Sequence, residues 1–280
     1  MILVTGAAGK TGKAVIRALA ARGEQVHAYV HRHTHVRDLH ELGAIAVSVG
    51  TIDDADAIAQ AAKDARAVYH ICPNVSACEL PFARAVVEGV SRAGVIRFVF
   101  HSVLHPQIEA MPHHWEKMRV EEMLFASGLD VTVLQPTAYM QNLLVQWRTI
   151  STEGVYKIPY PATSRISLVD LDDVAEAAAI VLTNDAHIGA SYELVGTPPL
   201  SQFEIARVIG QTTGKNIRTE SETPEEWAAQ ATGMDDYQRE TLTKMFRYYA
   251  QHGLIGNPGA LRWLLGREPT TLADFVRHQG

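Results

Sequence analysis

Three glycines set three residues apart, Gly6, Gly9 and Gly12 in the stretch VTGAAGKTG, stand between the apolar run Met1-Ile2-Leu3-Val4 and the helix-forming run Ala14-Val15-Ile16-Arg17-Ala18-Leu19-Ala20. That is a strand, a turn and a helix in direct succession. Glycine admits positive φ and lets another group come close to the main chain. The first turn of the following helix adds unpaired N–H groups at the positive end of its dipole. Such a turn suits a phosphate, and it also serves simply as a bend. The spacing differs from G-x-G-x-x-G, so the rest of the chain has to choose between the two.

The choice comes from the rhythm that follows. EQVHAYVHR (24–32) reads as a second strand, followed by a short helix through Val36 to Leu42, and AIAVSVG (44–50) as a third strand. DDADAIAQAAKDA (53–65) reads as an Ala-rich helix with Asp53 as its expected N-cap. AVYHICP (67–73) is a fourth strand ending in Cys72 and Pro73, a helix follows over about 80–93, IRFVFHSV (96–103) is a fifth strand, and LDVTVLQP (129–136) a sixth stopped by Pro136. This alternation predicts an α/β fold, a Rossmann-type doubly wound parallel sheet with right-handed crossovers. In that architecture ligands bind beyond the carboxyl ends of the strands, and the glycine turn lies at the end of the first, where a dinucleotide pyrophosphate belongs.

After Pro136 the rhythm changes. Short pieces such as GVYKIP (154–159) and SRISLVD (164–170) precede an Ala-rich helix from Asp173 to about Thr183, then a strand SYELVG (191–196) and helices in PEEWAAQATG (224–233) and ETLTKMFRYYAQHG (240–253). We expect a dinucleotide-binding domain over 1–136 and a smaller, mostly helical C-terminal lobe over 137–280, with 164–195 packing back on the sheet.

A chain of 280 residues, 47% apolar and 20% charged, is long enough for a large core and has the balance of a soluble globule. Its net charge of −6 lacks the basic footprint of a nucleic-acid binder. Two cysteines, Cys72 and Cys78, are too few for a disulfide framework. The first strand starts at Met1, leaving no room for a leader, and no apolar run has the length of a membrane span. The expectation is a cytoplasmic monomer or homodimer acting on a small molecule, without nucleic-acid or membrane partners.

The end of the second strand chooses the dinucleotide. A carboxylate there binds the ribose 2′-hydroxyl of NAD, whereas an arginine accommodates the 2′-phosphate of NADP. Val30-His31-Arg32 carries no carboxylate, Arg37 follows, and Lys10 sits inside the glycine turn, so NADP is expected, with NAD as the alternative. The alternating imidazoles of HRHTH (31–35) lack a thiolate or a fixed carboxylate partner, and no metal is expected.

The glycine turn, the strand end HSVLHP, the helix HHWEKMRVEEMLFASGL and the segment VTVLQPTAYMQN together resemble the NmrA-like branch of the atypical short-chain dehydrogenases/reductases, over roughly residues 1–200. Members of the wider family carry a Ser after the fifth strand and Tyr-x-x-x-Lys on the next helix. The Tyr moves a proton at the substrate oxygen, and the Lys lowers its pKa and holds the nicotinamide ribose. Here that spacing falls on His113 to Lys117, so His113 stands where the Tyr would be. The resemblance implies Lys117, His113 and Ser102 as catalytic residues. It implies as cofactor-binding residues Gly6, Ala8, Gly9, Lys10, Thr11 and Gly12 of the turn, with Arg32, Thr51, Cys72, Pro73, Lys117, Pro136 and Tyr139.

The missing Tyr leaves two readings. One is an NAD(P)H-dependent oxidoreductase acting on a quinone-like or conjugated apolar molecule, which takes hydride into a delocalised system with less help from a protein acid; Lys117, His113 or His114 then supplies the proton or steadies the oxyanion. The other is a non-catalytic NAD(P) sensor acting through a protein partner. Tyr139 is also a candidate to replace the lost phenol, and a reactive Cys72 lacks an evident neighbouring cation in the sequence.

Overall fold

The computed structural model describes residues 1–279, which divide into two compact units. One comprises Met1–Gln107, His114–Gln135 and Val174–Tyr192; the other comprises Ile108–His113, Pro136–Asp173 and the chain from Glu193 onward.

From the N-terminus, strands and helices alternate as the sequence rhythm predicts: β1 (Ile2–Val4), α1 (Lys10–Ala21), β2 (Val26–Val30), α2 (Val36–Glu41), β3 (Ala44–Val49), α3 (Ala55–Ala62), β4 (Ala67–His70), α4 (Glu79–Arg92), β5 (Arg97–His101), α5 (Pro112–Phe125) and β6 (Asp130–Pro136). These strands lie in the order β3-β2-β1-β4-β5-β6, and neighbours pair in parallel. The order reverses between β1 and β4, the switch point outside which doubly wound sheets bind their ligands. The inner strands β1, β2, β4 and β5 are buried end to end because helices cover both faces of such a sheet, whereas the edge strand β3 is mostly half-buried. On one face Leu3, Val68, Phe98, Phe100, Val131 and Val133 pack with Ile58 of α3, Leu80 and Val86 of α4, and Val120 and Leu124 of α5.

Beyond β6 come β7 (Ala138–Tyr139), a 3-10 turn over Met140–Gln146, α6 (Trp147–Glu153), β8 (Val155–Ile158), β9 (Arg165–Ile166), β10 (Leu168–Val169), α7 (Leu171–Thr183) and β11 (Ser191–Leu194), which joins the large sheet beside β6. They are followed by β12 (Leu200–Ser201), α8 (Gln202–Thr213), β13 (Arg218–Ser221), α9 (Pro224–Gln230), α10 (Asp236–His252), α11 (Gly259–Leu265) and α12 (Leu272–Arg277). In the second unit β10 pairs with β7, β12 with β9 and β13 with β8. Its C-terminal arm is tied down by Asp173, whose buried carboxylate accepts from Arg267 Nη2 at 2.7 Å and from the Thr270 N–H at 2.6 Å. Among the described residues no helix is long and apolar enough to cross a membrane.

Several local expectations need correcting. Asp54, not Asp53, caps α3: its carboxylate accepts from the Ala57 N–H at 3.0 Å, the third residue on, which is the reach of an N-cap side chain. β4 stops at His70, so Cys72 and Pro73 stand in the loop that follows. Pro73 has no N–H for a strand ladder, and Val75 turns the loop with φ of 50°. The short piece SRISLVD carries two strands, β9 and β10. α1 begins at Lys10, inside the glycine motif, with Gly9 as its N-cap.

Candidate functional site

The turn after β1 is built by close backbone approach. Gly6 takes φ of +61°, and a Cβ there would lie 2.6 Å from the Ile71 carbonyl oxygen; at Gly12 a Cβ would lie 2.5 Å from the Gly6 carbonyl oxygen and 2.7 Å from Ala7 Cα. Side chains are thereby excluded from the two places where the chain folds tightest. α1 starts with no side-chain cap at Gly9 and no acidic residue in its first turn, so its positive end is left uncompensated by a carboxylate. Thr11 and Gly12 are buried within this turn and Lys10 is exposed beside it. A concave run of small residues at an uncompensated helix start fits the pyrophosphate of a dinucleotide.

The turn is tied to the end of β4. The Thr5 N–H donates to the Tyr69 carbonyl at 3.0 Å, and the Ile71 N–H donates to Thr5 Oγ1 at 3.3 Å. Thr5 Oγ1 and His70 Nδ1 share a hydrogen at 2.8 Å. His70 stacks on Phe100 with ring centroids 5.9 Å apart, fully buried, and its Nε2 has no partner. Burial first, then the charge of Lys117, pushes its pKa down to about 3. His101, at the end of β5, shares a hydrogen with the Tyr69 hydroxyl and is held down to about 3 by the same causes, with His70 adding to them. Both rings are neutral at physiological pH.

Lys117, on α5, brings its ammonium into this group. Nζ donates to Glu79 Oε1 at 2.7 Å and to the His101 carbonyl at 3.3 Å, and lies 5.3 Å from the centre of the Phe100 ring. The Cys72 thiol has its pKa raised by burial and then by the charge of Glu79. Cys72 therefore stays protonated: the neighbouring cation that the sequence could not reveal is present, and a carboxylate closer to hand outweighs it.

Ser102 follows β5, buried, and donates its hydroxyl proton to Glu121 Oε1. Gln135 Nε2 donates to both oxygens of the same carboxylate at 3.0 Å. Burial raises the Glu121 pKa while these donors oppose the rise. The clamp joins β5, α5 and β6 and leaves the Ser102 oxygen only lone pairs to offer.

The remaining expected residues belong to both units. Arg32 is exposed just past β2, whereas Arg37 is committed to Glu41 at 2.8 Å. Thr51 is exposed after β3, its carbonyl accepting from the Tyr29 hydroxyl at 2.9 Å; Ala8 is half-buried in the turn and Pro73 is exposed. His113, Pro136 and Tyr139 belong to the second unit. His113 lies one turn before Lys117 along α5, and Tyr139 is half-buried in β7. His114 is fully buried, donates from Nδ1 to the His105 carbonyl at 3.2 Å, and is pushed down to about 4 by burial, far from the neutral range expected of a proton donor.

Sequence reasoning missed Thr5, His70, Glu79 and Glu121. The one available signal was polar residues at the ends of apolar strands, Thr5 after ILV and His70 at the end of AVYH. Nothing local marks Glu79 or Glu121, which look like ordinary helix carboxylates.

The chain matches the model of the NmrA-like family over residues 1–276. It is 27% identical to quinone oxidoreductase 2 of Escherichia coli over 282 residues, covering 99% of this chain and 98% of that protein. It is 25% identical to an NAD(P)H azoreductase of Xenophilus azovorans, covering 99% and 97% of the two chains. A crystal structure of the NADPH-dependent quinone oxidoreductase of Escherichia coli in complex with NADPH superposes with a TM-score of 0.88 at 26% identity, covering 100% of this chain and 99% of the other.

Proposed function

The chain belongs to the NmrA-like family, and from that premise we propose that it is an NADPH-dependent reductase of quinone-like or other conjugated, largely apolar small molecules. One observation carries the reading: within one unit, a side-chain-free cradle at the start of α1 stands with a half-buried, fixed ammonium at the end of β5. The relatives that act on quinones and azo compounds support the substrate class.

In this reading Gly6, Ala8, Gly9, Lys10, Thr11 and Gly12 hold the pyrophosphate, with Thr51, Cys72 and Pro73 as further wall. Arg32, whose guanidinium is exposed past β2, takes the 2′-phosphate; Arg37 is already engaged by Glu41. When bound, the dinucleotide supplies the hydride. Lys117 directs an N–H to the nicotinamide ribose and places positive charge near the site of reduction. His113 occupies the helical position of the family's tyrosine and gives a proton to the substrate oxygen from its ring. Ser102 contributes an acceptor oxygen, since its proton is given to Glu121.

The test is titration of the pure protein with NADPH and NADH, followed by NADPH consumption with a panel of quinones and conjugated carbonyls. Quinone-dependent oxidation of NADPH, lowered roughly 100-fold in Lys117→Ala, is the expected result. Tight binding with no turnover on any acceptor would overturn the reductase in favour of a dinucleotide sensor. Separately, Arg32→Ala is expected to weaken NADPH about 10-fold, the size of one charge-assisted contact, and to leave NADH unchanged. Equal weakening of both would place the 2′-phosphate elsewhere.

A further inference from the structure

Glu79 is the first residue of α4 and its side chain is only 4% exposed. A carboxylate in the first turn of a helix is favoured by the dipole, but that does not require it to be buried. It is buried where it meets Lys117, itself 15% exposed, at 2.7 Å. A buried ion pair is a poor source of stability, since apolar groups of equal volume generally do as well. What the pair does supply is geometry. A lysine side chain is rich in rotamers and wanders unless it is held. Here two of its three N–H bonds are taken, by the Glu79 carboxylate and the His101 carbonyl, and the Phe100 ring lies beside it. One N–H remains to be directed.

We propose that Glu79 is a positioning residue for Lys117: its carboxylate fixes the ammonium so that the remaining N–H meets the ribose of the incoming dinucleotide. This rests on the reading that Lys117 holds that ribose. Glu79 acts only through Lys117, and that dependence is what can be measured.

The experiment is a double-mutant cycle on the full chain: wild type, Glu79→Gln, Lys117→Met and the double variant. NADPH affinity is read by fluorescence titration, and the melting temperature is read without ligand. Glu79→Gln keeps the shape and removes the charge. It is expected to weaken NADPH about 10-fold in the wild-type background and less than about 2-fold when Lys117 is already Met, the non-additivity of groups that act as one. Glu79→Asp is expected to recover part of the loss. The ligand-free protein should melt lower in Glu79→Gln than in the double variant, because the single change leaves a half-buried ammonium without its partner. Should Glu79→Gln fail to fold, Glu79→Asp, which keeps the charge and shortens its reach, takes its place, with a loss of about 3-fold that also vanishes in the Lys117→Met background.

Glu79→Gln without effect on NADPH, or with the same effect in both backgrounds, while Lys117→Met alone weakens binding, overturns the positioning role and leaves Lys117 as ribose holder. Wild-type affinity in Lys117→Met overturns the ribose reading itself, and the positioning role with it.

Discussion

Gly12→Ala is expected to lose about 3 kcal/mol of stability and more than about 100-fold in NADPH affinity, because the added Cβ meets main chain and not a side chain that can turn away. It would lie 2.5 Å from the Gly6 carbonyl oxygen, 2.7 Å from Ala7 Cα and 3.0 Å from the Ala7 carbonyl carbon. Relief requires α1 to move off the turn, which opens the cradle at its start. Gly23→Ala is the control: φ there is +77° and nothing lies within 4 Å of its Cβ position, so only the left-handed backbone is penalised, by about 1 kcal/mol. Urea unfolding and NADPH titration of the two variants separate crowding from conformational preference. Wild-type affinity in Gly12→Ala would mean that the turn is a bend and not a phosphate cradle.

Acidification is the second large effect. His70 and His101 are held down to about 3 and His114 to about 4 in the folded chain, all by burial in the first place. In the unfolded chain a histidine titrates near 6.5. Between these values the unfolded state binds more protons than the folded one, so stability is full above about pH 6.5 and falls as the pH drops through the window. Each ring costs about 1.4 kcal/mol per pH unit below 6.5, so at pH 5.5 the three together remove roughly 4 kcal/mol. Glu121 and Asp170, whose pKa values are raised by burial, work in the opposite sense, since their folded forms take up protons before the unfolded chain does. They offset part of the fall, and the net effect is read by urea unfolding at pH 7.5 and 5.5. His114→Gln, which keeps an N–H for the His105 carbonyl, should flatten the dependence by about one third of the slope. Equal stability at the two pH values would show that the rings accept protons within the fold.

The architecture was legible because it is written in short-range pattern. Apolar runs such as ILV and RFVFH, helices between them and glycines at every third position belong to stretches of a few residues, and they are sufficient for the order of strands and for the turn after β1. Boundaries were less legible. Asp53 and Asp54 are chemically alike, and only the backbone conformation at Asp54, φ −92° and ψ 93°, aims a carboxylate at the Ala57 N–H. Cys72 and Pro73 continue an apolar stretch in sequence, yet β4 has already ended at His70.

The candidate site divides along the same line. Sequence alone determined the fold class, the glycine turn after the first strand, the position of Lys117 one turn after His113 and the absence of the family's tyrosine, because each is a matter of local spacing. Only the tertiary structure decided what those groups touch. Lys117 meets Glu79 across 38 residues, Ser102 meets Glu121 across 19, and Thr5 meets His70 across 65. Those encounters follow from which strands the crossovers bring side by side, and so does the charge on each group. Protonation depends on how far water is excluded, and exclusion of water belongs to the packed molecule rather than to any stretch of chain.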